Sequence, residues 1–292
     1  MKQHFLNNNN TKARVCEWGR KENPAIICFH GLGGTNLSFL ELGELLKDKY
    51  HVVSIDLPGH GRTPAFKNDE DYGIPNLIKW VSDVIEFFEK DSFYILAHSW
   101  GGCIALHYAA QYPEKVKKIL LLDGGYHQKQ IQYDYFANID KNKLDFKPNC
   151  SLEDEIKSYT ADFDGYVFSN WNDFLEVERN NYLRWSKLLE QATKDLMKEE
   201  DGIIRFCACG DTARGAIKSM YNFPTDIIYG KLETPILLMQ ATIPASWNEI
   251  RILLVEEFQK RTNSLVKRIE ATHLLHWDNP FLIAEEVTEW MK

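Results

Sequence analysis

The stretch AHSWG at residues 97–101 has the residue types and spacing of a serine nucleophile placed at the start of a helix. The apolar run Phe93–Ala97 stops at this serine, Ser99, and a helix-like pattern follows from Cys103. Small residues two before and two after Ser99 permit a sharp strand-to-helix turn, which exposes Oγ to a base and a substrate. The helix would also point its first N–H groups at the reaction centre. Ala97 stands where glycine is usual and is still small enough for the turn.

A serine of this kind needs a base, because it is a poor nucleophile until its proton is removed. The base is typically a histidine that a carboxylate holds in place. The late segment ATHLLHWDNP at residues 271–280 follows the last apolar run and offers His273 and His276. The simpler interpretation of His276 is a loop residue bonded to backbone.

Composition and charge limit the classes of partner. The chain has 292 residues and a formal net charge of −8. This charge argues against nucleic acid or an anionic membrane surface as the main partner, because both require a basic face. The sequence contains no apolar run long enough for a transmembrane helix. Residues 1–10 lack the apolar core of a signal peptide, so a cytoplasmic location is expected.

The cysteines do not indicate a metal site or a disulfide framework. Six are present, with no C-x-x-C pair and no spaced Cys/His set. The Cys207-Ala208-Cys209 stretch has no second pair to complete a metal site. We therefore expect reduced thiols, no metal and no cofactor.

Apolar runs of strand length alternate with helical patterns along most of the chain. The predicted strands are 25–29, 51–55, 93–97, 116–122, 235–239 and 264–269, after an N-terminal hairpin that turns at Asn7–Asn10. The predicted helices are 37–49, 75–89, one from the serine to Tyr112, 249–260 and 282–291. This alternation predicts an α/β fold, in which a mostly parallel central sheet is covered by helices on both faces. Functional residues are then expected at the carboxyl ends of the strands.

Residues 124–231, called the inserted segment below, break this alternation. Polar and aromatic residues alternate irregularly along them, and the spacing of the apolar residues is helical at 172–196. We interpret them as a mainly helical cap inserted into a core formed by residues 1–123 and 232–292. Most of the aromatic side chains are expected to pack the cap onto the core, and a minority to line an apolar pocket.

With these motifs in order, the chain resembles the α/β-hydrolase fold superfamily. Its members carry a serine elbow, an upstream His-Gly-x-Gly-type loop, an Asp-x-Pro-Gly-His-Gly turn and a late histidine segment. Here these are residues 97–101, HGLGG at 30–34, DLPGHG at 56–61, and 271–280, in which Thr272 replaces the usual glycine. The resemblance covers nearly the whole chain outside the inserted segment and implies the α/β-hydrolase fold.

The resemblance also implies roles for individual residues. His273 corresponds to the base, and the backbone N–H groups of Leu32 and Trp100 correspond to the oxyanion hole. His30 and His98 are expected to be structural. Asp56 is expected to form a turn rather than to belong to the triad.

The position of the acid is open. In most relatives it follows the strand that here is 235–239, but the next residues, QATIPAS, contain no carboxylate. A minority of the fold carries the acid one strand earlier, where Asp123 ends an aliphatic run before two glycines. The simpler interpretation of Asp123 is a turn or helix-cap residue. We favour Asp123 as the acid, with Glu249 as the alternative.

Three functions fit these observations. The first is a serine hydrolase that cleaves a small carboxylic ester, thioester or lactone with an apolar acyl part. The second is a carbon–carbon bond hydrolase or lyase on the same triad, with Arg184, Arg205 or Arg214 binding an acidic substrate. The third is a non-catalytic ligand-binding or signalling protein on this scaffold. The sequence makes no prediction of the oligomeric state.

Overall fold

The computed structural model of the protein describes residues 1–8, 11–140, 144 and 146–292. Its strands are β1 (Lys2–Asn8), β2 (Thr11–Trp18), β3 (Ala25–Phe29), β4 (His51–Ile55), β5 (Phe93–His98), β6 (Val116–Leu122), β7 (Val167–Phe168), β8 (Met197–Glu200), β9 (Ile203–Phe206), β10 (Ile236–Ala241) and β11 (Ser264–Ile269). Its α-helices are α1 (Leu40–Leu46), α2 (Ile74–Glu86), α3 (Trp100–Gln111), α4 (Lys129–Asn138), α5 (Leu152–Gly165), α6 (Trp171–Asn181), α7 (Lys187–Asp195), α8 (Gly210–Asn222), α9 (Asn248–Arg261), α10 (Leu275–Asp278) and α11 (Pro280–Trp290). Within these ranges, no helix has both the length and the apolar character needed to cross a membrane.

Eight strands form one central sheet in the order β1-β2-β4-β3-β5-β6-β10-β11. In this order, the six strands from β4 to β11 are parallel to one another, and β2 runs antiparallel to both of its neighbours, β1 and β4. The α/β class and the mostly parallel sheet are therefore confirmed. The predicted N-terminal hairpin is present as β1 and β2, and part of its predicted turn, residues 9 and 10, lies outside the described residues.

Each central strand is buried on both sides, because its side chains alternate between two apolar cores. In β3, Ile27 and Phe29 belong to the core that contains α2 and α3, whereas Ile26 and Cys28 belong to the core that contains α1 and α11. This explains why the strands read as continuous aliphatic runs rather than as alternating polar and apolar residues.

The inserted segment contains helices α4 to α8, and it also contains a structure that the sequence did not predict. Strands β7, β9 and β8 form a separate antiparallel sheet of three strands. The expected helical stretch at 172–196 is divided between α6 and α7. These strands are only two to four residues long, which is too short for a period-two pattern to stand out.

A buried ion network joins the inserted segment to the central sheet. The Arg14 side chain donates from Nε to Asp56 Oδ2 at 2.6 Å and from Nη1 to Asp195 Oδ1 at 2.8 Å. Asp195 ends α7 in the inserted segment, and it also accepts a hydrogen bond from Thr35 Oγ1 at 2.7 Å. Asp56 accepts from the Asn36 amide at 2.6 Å. One arginine on β2 therefore fixes both the loop after β4 and the end of α7.

The substitution Arg14→Met tests the contribution of this network to stability. We expect a loss of about 3–5 kcal/mol in the free energy of unfolding, because two carboxylates would remain buried without their cation. Urea denaturation at neutral pH measures it. Lys79→Met is the matched control, since Lys79 forms an exposed pair with Asp83 and should cost less than about 1 kcal/mol. Equal costs for the two variants would contradict this account.

Candidate active site

Ser99 lies in a strained turn between the end of β5 and the start of α3. Its backbone has φ 51° and ψ −119°, a conformation that residues other than glycine rarely adopt. The turn is held because the Ser99 amide donates to Leu122 O at 3.1 Å and Ser99 O accepts from the Gly102 amide at 2.9 Å. This geometry is that of the sharp turn that the sequence predicted.

Glycines around this turn allow three chain segments to approach closely. A Cβ on Gly101 would lie 2.4 Å from Phe29 O, and one on Gly124 would lie 2.4 Å from the Ser99 amide nitrogen. A Cβ on Gly31 would lie 2.9 Å from Ser99 Cβ. Only glycine fits at these three positions without moving the backbone that carries Ser99.

Asp123 lies at the end of β6 and contacts His273 directly. The distance between Asp123 Oδ2 and His273 Nδ1 is 2.8 Å. Because an ionised carboxylate only accepts, Nδ1 carries the proton and Nε2 is left for a reacting group. Glu249, the alternative acid, is exposed in the first turn of α9. Of the two candidate carboxylates, the one bonded to the histidine is Asp123.

Asp123 is fully buried, and other groups satisfy its second oxygen. Oδ1 accepts from the Tyr126 hydroxyl at 2.8 Å and from the Ala241 amide at 3.2 Å. The Arg251 guanidinium lies 3.8 Å from Oδ2. Burial raises the pKa of Asp123, but the hydrogen bond and charge of His273, together with the Arg251 charge, outweigh it and lower the pKa to about 2. The carboxylate is therefore ionised at neutral pH.

The sequence did not predict Tyr126 or Arg251 as partners of Asp123. Arg251 is distant in the sequence and lies on α9, which comes near Asp123 because the preceding strand, β10, pairs with β6. Tyr126 is one of the aromatic residues of the inserted segment. Its position three residues after Asp123 could have suggested a local contact.

The loop that carries His273 is held by side-chain contacts. Asp278 Oδ2 accepts from the Thr272 amide at 2.6 Å and from Thr272 Oγ1 at 2.7 Å. Threonine at the usual glycine position therefore adds a hydrogen bond across the loop. His98 Nε2 donates to His273 O at 2.8 Å. Burial lowers the pKa of His98 well below its usual value, so its ring is neutral.

The resemblance assigned two amides to an oxyanion hole, and they lie on different segments: Leu32 in the loop after β3 and Trp100 at the start of α3. Within the described ranges, neither the Leu32 N–H nor the Trp100 N–H donates a hydrogen bond to the protein. His30 Nε2 accepts from the Leu57 amide at 2.9 Å, and His60 Nε2 accepts from the Gly33 amide at 3.1 Å. Two buried histidines thus hold the loop, and His30 is structural, as expected.

The prediction that His276 is a loop residue bonded to backbone is wrong. It is buried in α10, and neither ring nitrogen has a hydrogen-bond partner among the described residues. Its ring stacks on Phe39 at 5.4 Å between centroids and lies 4.7 Å from the His98 ring. Burial lowers the pKa of His276 to about 3, so the residue packs as a neutral aromatic ring.

A cavity of about 400 Å³ brings together Leu32, Ser99, Trp100, Asp123 and His273. Its other walls are partly apolar, and several come from the inserted segment. The apolar lining residues include Cys103, Phe136, Phe146, Ile217, Met220 and Trp247. The expectation that some aromatic residues of this segment line a pocket matches this arrangement.

The three arginines that could bind an acidic substrate do not line this cavity; they are Arg184, Arg205 and Arg214. Arg184 pairs with Glu41, and Arg214 pairs with Asp69 at 2.7 Å. Arg205 lies 3.7 Å from Glu200 in the small sheet. Each is engaged with a carboxylate elsewhere, so none of these three arginines favours a lyase acting on an acidic substrate at this site.

The fold and the residues at this edge of the sheet define an α/β hydrolase. A family model described as the alpha/beta hydrolase fold matches residues 24–280. This match covers most of the chain, so the protein belongs to the alpha/beta hydrolase fold family.

Among known proteins, the chain is similar to a serine hydrolase-like protein of Danio rerio. The two are 26% identical over 290 residues, which cover 94% of this chain and 83% of that protein. Matches to proteins of the same name from Mus musculus and Homo sapiens span 34% and 52% of those proteins.

Solved structures share the fold at low sequence identity. The thioesterase domain from the curacin biosynthetic pathway has a TM-score of 0.72 and 17% identity, and 99% of each chain is covered. E-2-(acetamidomethylene)succinate hydrolase has a TM-score of 0.73 and 15% identity over 99% of this chain and 98% of that chain.

The neutral, buried state of His276 predicts sensitivity to acid. Because its pKa falls from the usual 6.5 to about 3 on folding, the unfolded chain binds more protons below pH 6.5. The stability due to this group is complete above that pH and is lost as the pH falls towards about 3. Between pH 7 and pH 5 the loss should be about 2 kcal/mol.

The variant His276→Leu should remove this loss. Urea denaturation gives the free energy of unfolding of wild type and variant at pH 7 and pH 5. The fall between the two pH values should be smaller in the variant than in wild type. Phe39→Leu is the matched control, because it disturbs the same stack and leaves the titrating group in place. If the pH dependence of His276→Leu equals that of wild type, the assignment is wrong.

Proposed function

We propose that this α/β hydrolase is a serine hydrolase that cleaves a carboxylic ester, thioester or lactone. Ser99, His273 and Asp123 form the proposed triad, and the Leu32 and Trp100 amides form the proposed oxyanion hole. The observation that carries the proposal is the 2.8 Å contact between Asp123 and His273 at a cavity that Ser99 also lines.

In the first half of the proposed reaction, Ser99 Oγ attacks the substrate carbonyl carbon while His273 Nε2 takes the hydroxyl proton. The developing negative charge on the carbonyl oxygen accepts hydrogen bonds from the Leu32 and Trp100 amides. The bond between the carbonyl carbon and the leaving oxygen or sulfur then breaks, and His273 gives its proton to that atom. The acyl group remains on Ser99.

In the second half, water replaces the leaving group. His273 Nε2 takes a proton from water, whose oxygen attacks the acyl carbon. Ser99 leaves with the proton that the histidine returns, so one ester bond and one water become an acid and an alcohol or thiol. Asp123 stays ionised, fixes Nδ1–H and stabilises the histidine cation in both halves.

We further propose that the inserted segment is the cap of a core formed by residues 1–123 and 232–292. What supports it is the position of its aromatic rings: Phe163 and Phe206 are the nearest neighbours of a Cβ built on Gly33, at 3.2 and 3.1 Å. The cap would exclude water from the acyl group and provide an apolar pocket for it.

Covalent labelling tests the nucleophile. A fluorophosphonate probe should label wild type on Ser99, located by peptide mass spectrometry, and should not label Ser99→Ala. Ser158→Ala on α5 is the control and should be labelled as wild type is. An adduct on another residue, or labelling that persists in Ser99→Ala, would exclude the proposed nucleophile.

A pair of carboxamide variants tests the acid. Asp123→Asn should lower kcat for p-nitrophenyl esters about 10³–10⁴-fold, because Nδ1 loses its ionised partner. Glu249→Gln should change kcat by no more than about twofold, as a surface substitution. Circular dichroism verifies that both are folded. A full rate for Asp123→Asn, or an equal fall in both variants, would remove Asp123 from the triad.

A further inference from the structure

A buried ion pair lies in the wall of the cavity that Ser99 and His273 also line. Lys129 Nζ and Glu155 Oε1 are 2.5 Å apart, and the second oxygen of Glu155 accepts from the Tyr133 hydroxyl. All three residues line the cavity. The proposed mechanism does not use these groups, although burying such a pair is costly unless its hydrogen bonds are completed.

Lys129 keeps the larger share of its hydrogen-bonding capacity free. Its ammonium has three N–H donors, and Glu155 is the one side-chain acceptor within hydrogen-bond reach among the residues described. Burial lowers the pKa of Lys129, but the charge of Glu155 and the hydrogen bond to it outweigh this effect, and the net pKa is raised. The amine is therefore charged and has donors left for a ligand.

Glu155 keeps capacity of the opposite kind. An ionised carboxylate has about four lone-pair sites, and the two contacts from Lys129 and Tyr133 use one on each oxygen. The two side chains carry opposite charges and together are neutral. This part of the wall therefore offers a donor and an acceptor side by side, and the pair itself carries no net charge.

We propose that Lys129 and Glu155 form a subsite for a hydroxyl group on the acyl part of the substrate. A hydroxyl accepts from the lysine and donates to the glutamate, so it complements both groups. A methylene chain leaves the remaining Lys129 donors and Glu155 lone pairs unused, and a carboxylate would lie against the Glu155 charge. This inference rests on the proposed function and narrows its substrate class to hydroxyacyl esters or thioesters, whose remaining carbons contact the apolar walls.

Turnover of matched esters tests the subsite. The substrates are p-nitrophenyl octanoate and a series of hydroxyoctanoates that differ in the position of the hydroxyl. At one or two positions, wild type should show a kcat/KM at least about tenfold above that for octanoate. A keto group at the best position, which only accepts, should give a smaller preference. Equal kcat/KM values across the series would overturn the proposal.

The double variant Lys129→Met/Glu155→Gln removes both charges, so neither is left buried alone. It should bring the ratio of kcat/KM between hydroxyoctanoate and octanoate close to one. The control is Lys198→Met/Glu200→Gln, an exposed pair on β8 at 2.7 Å that lies outside the cavity lining, and it should keep the wild-type ratio. If the ion pair is only structural, both substrates lose rate equally in the first double variant, and the proposal is wrong.

A binding measurement separates failure of the subsite from failure of the proposed function. Calorimetry on Ser99→Ala compares octanamide with the hydroxyoctanamides, which need no turnover. Tighter binding of one hydroxylated amide by about tenfold, lost in the Lys129→Met/Glu155→Gln background, supports the subsite even if no ester is cleaved. Equal affinity for the amides, together with normal labelling of Ser99 in wild type, overturns the subsite and leaves the hydrolase proposal standing.

Discussion

The contact between Asp123 and His273 is the interaction on which the arrangement of the site depends. A carboxylate this deeply buried is stable only where donors surround it, and here they come from His273, Tyr126 and the Ala241 amide. These donors belong to β10, to the loop after β11 and to the start of the inserted segment. Any movement of one of these elements would leave Asp123 with fewer donors than its charge requires.

The parallel sheet makes this convergence unavoidable. Strands β3, β5, β6 and β11 are parallel, so their carboxyl ends lie on the same side of the sheet. After each strand the chain crosses back and starts the next strand from the opposite side. The loops that follow them carry Leu32, Ser99, Asp123 and His273. The tight fit at Gly31, Gly101 and Gly124 then brings these loops within reach of one another.

The inserted segment completes the site through polar contacts as much as through apolar ones. Arg14 joins the end of α7 to Asp56 beneath the loop that carries Leu32. Lys129 and Glu155, both from this segment, place a charged pair in a cavity whose other walls are partly aromatic and aliphatic.

The sequence by itself determined the fold class and the positions of most core strands. Predicted strands at 25–29, 51–55 and 264–269 coincide with β3, β4 and β11, because buried parallel strands are short aliphatic runs between turn residues. It also indicated Ser99 as a candidate nucleophile, because a strained turn and its glycines leave a local pattern. His273 was indicated as the base by its place in the late segment 271–280.

Only the tertiary structure decided what depends on contacts between distant residues. The sequence offers both Asp123 and Glu249 as the acid, and only the structure shows that His273 is bonded to Asp123, which lies 150 residues away in the chain. The burial of His276, the small sheet of the inserted segment and the Lys129–Glu155 pair left no periodic signal. Each depends on packing between separate elements: His276 lies against Phe39 and His98, and the ion pair joins α4 to α5. No local pattern of residues encodes such contacts.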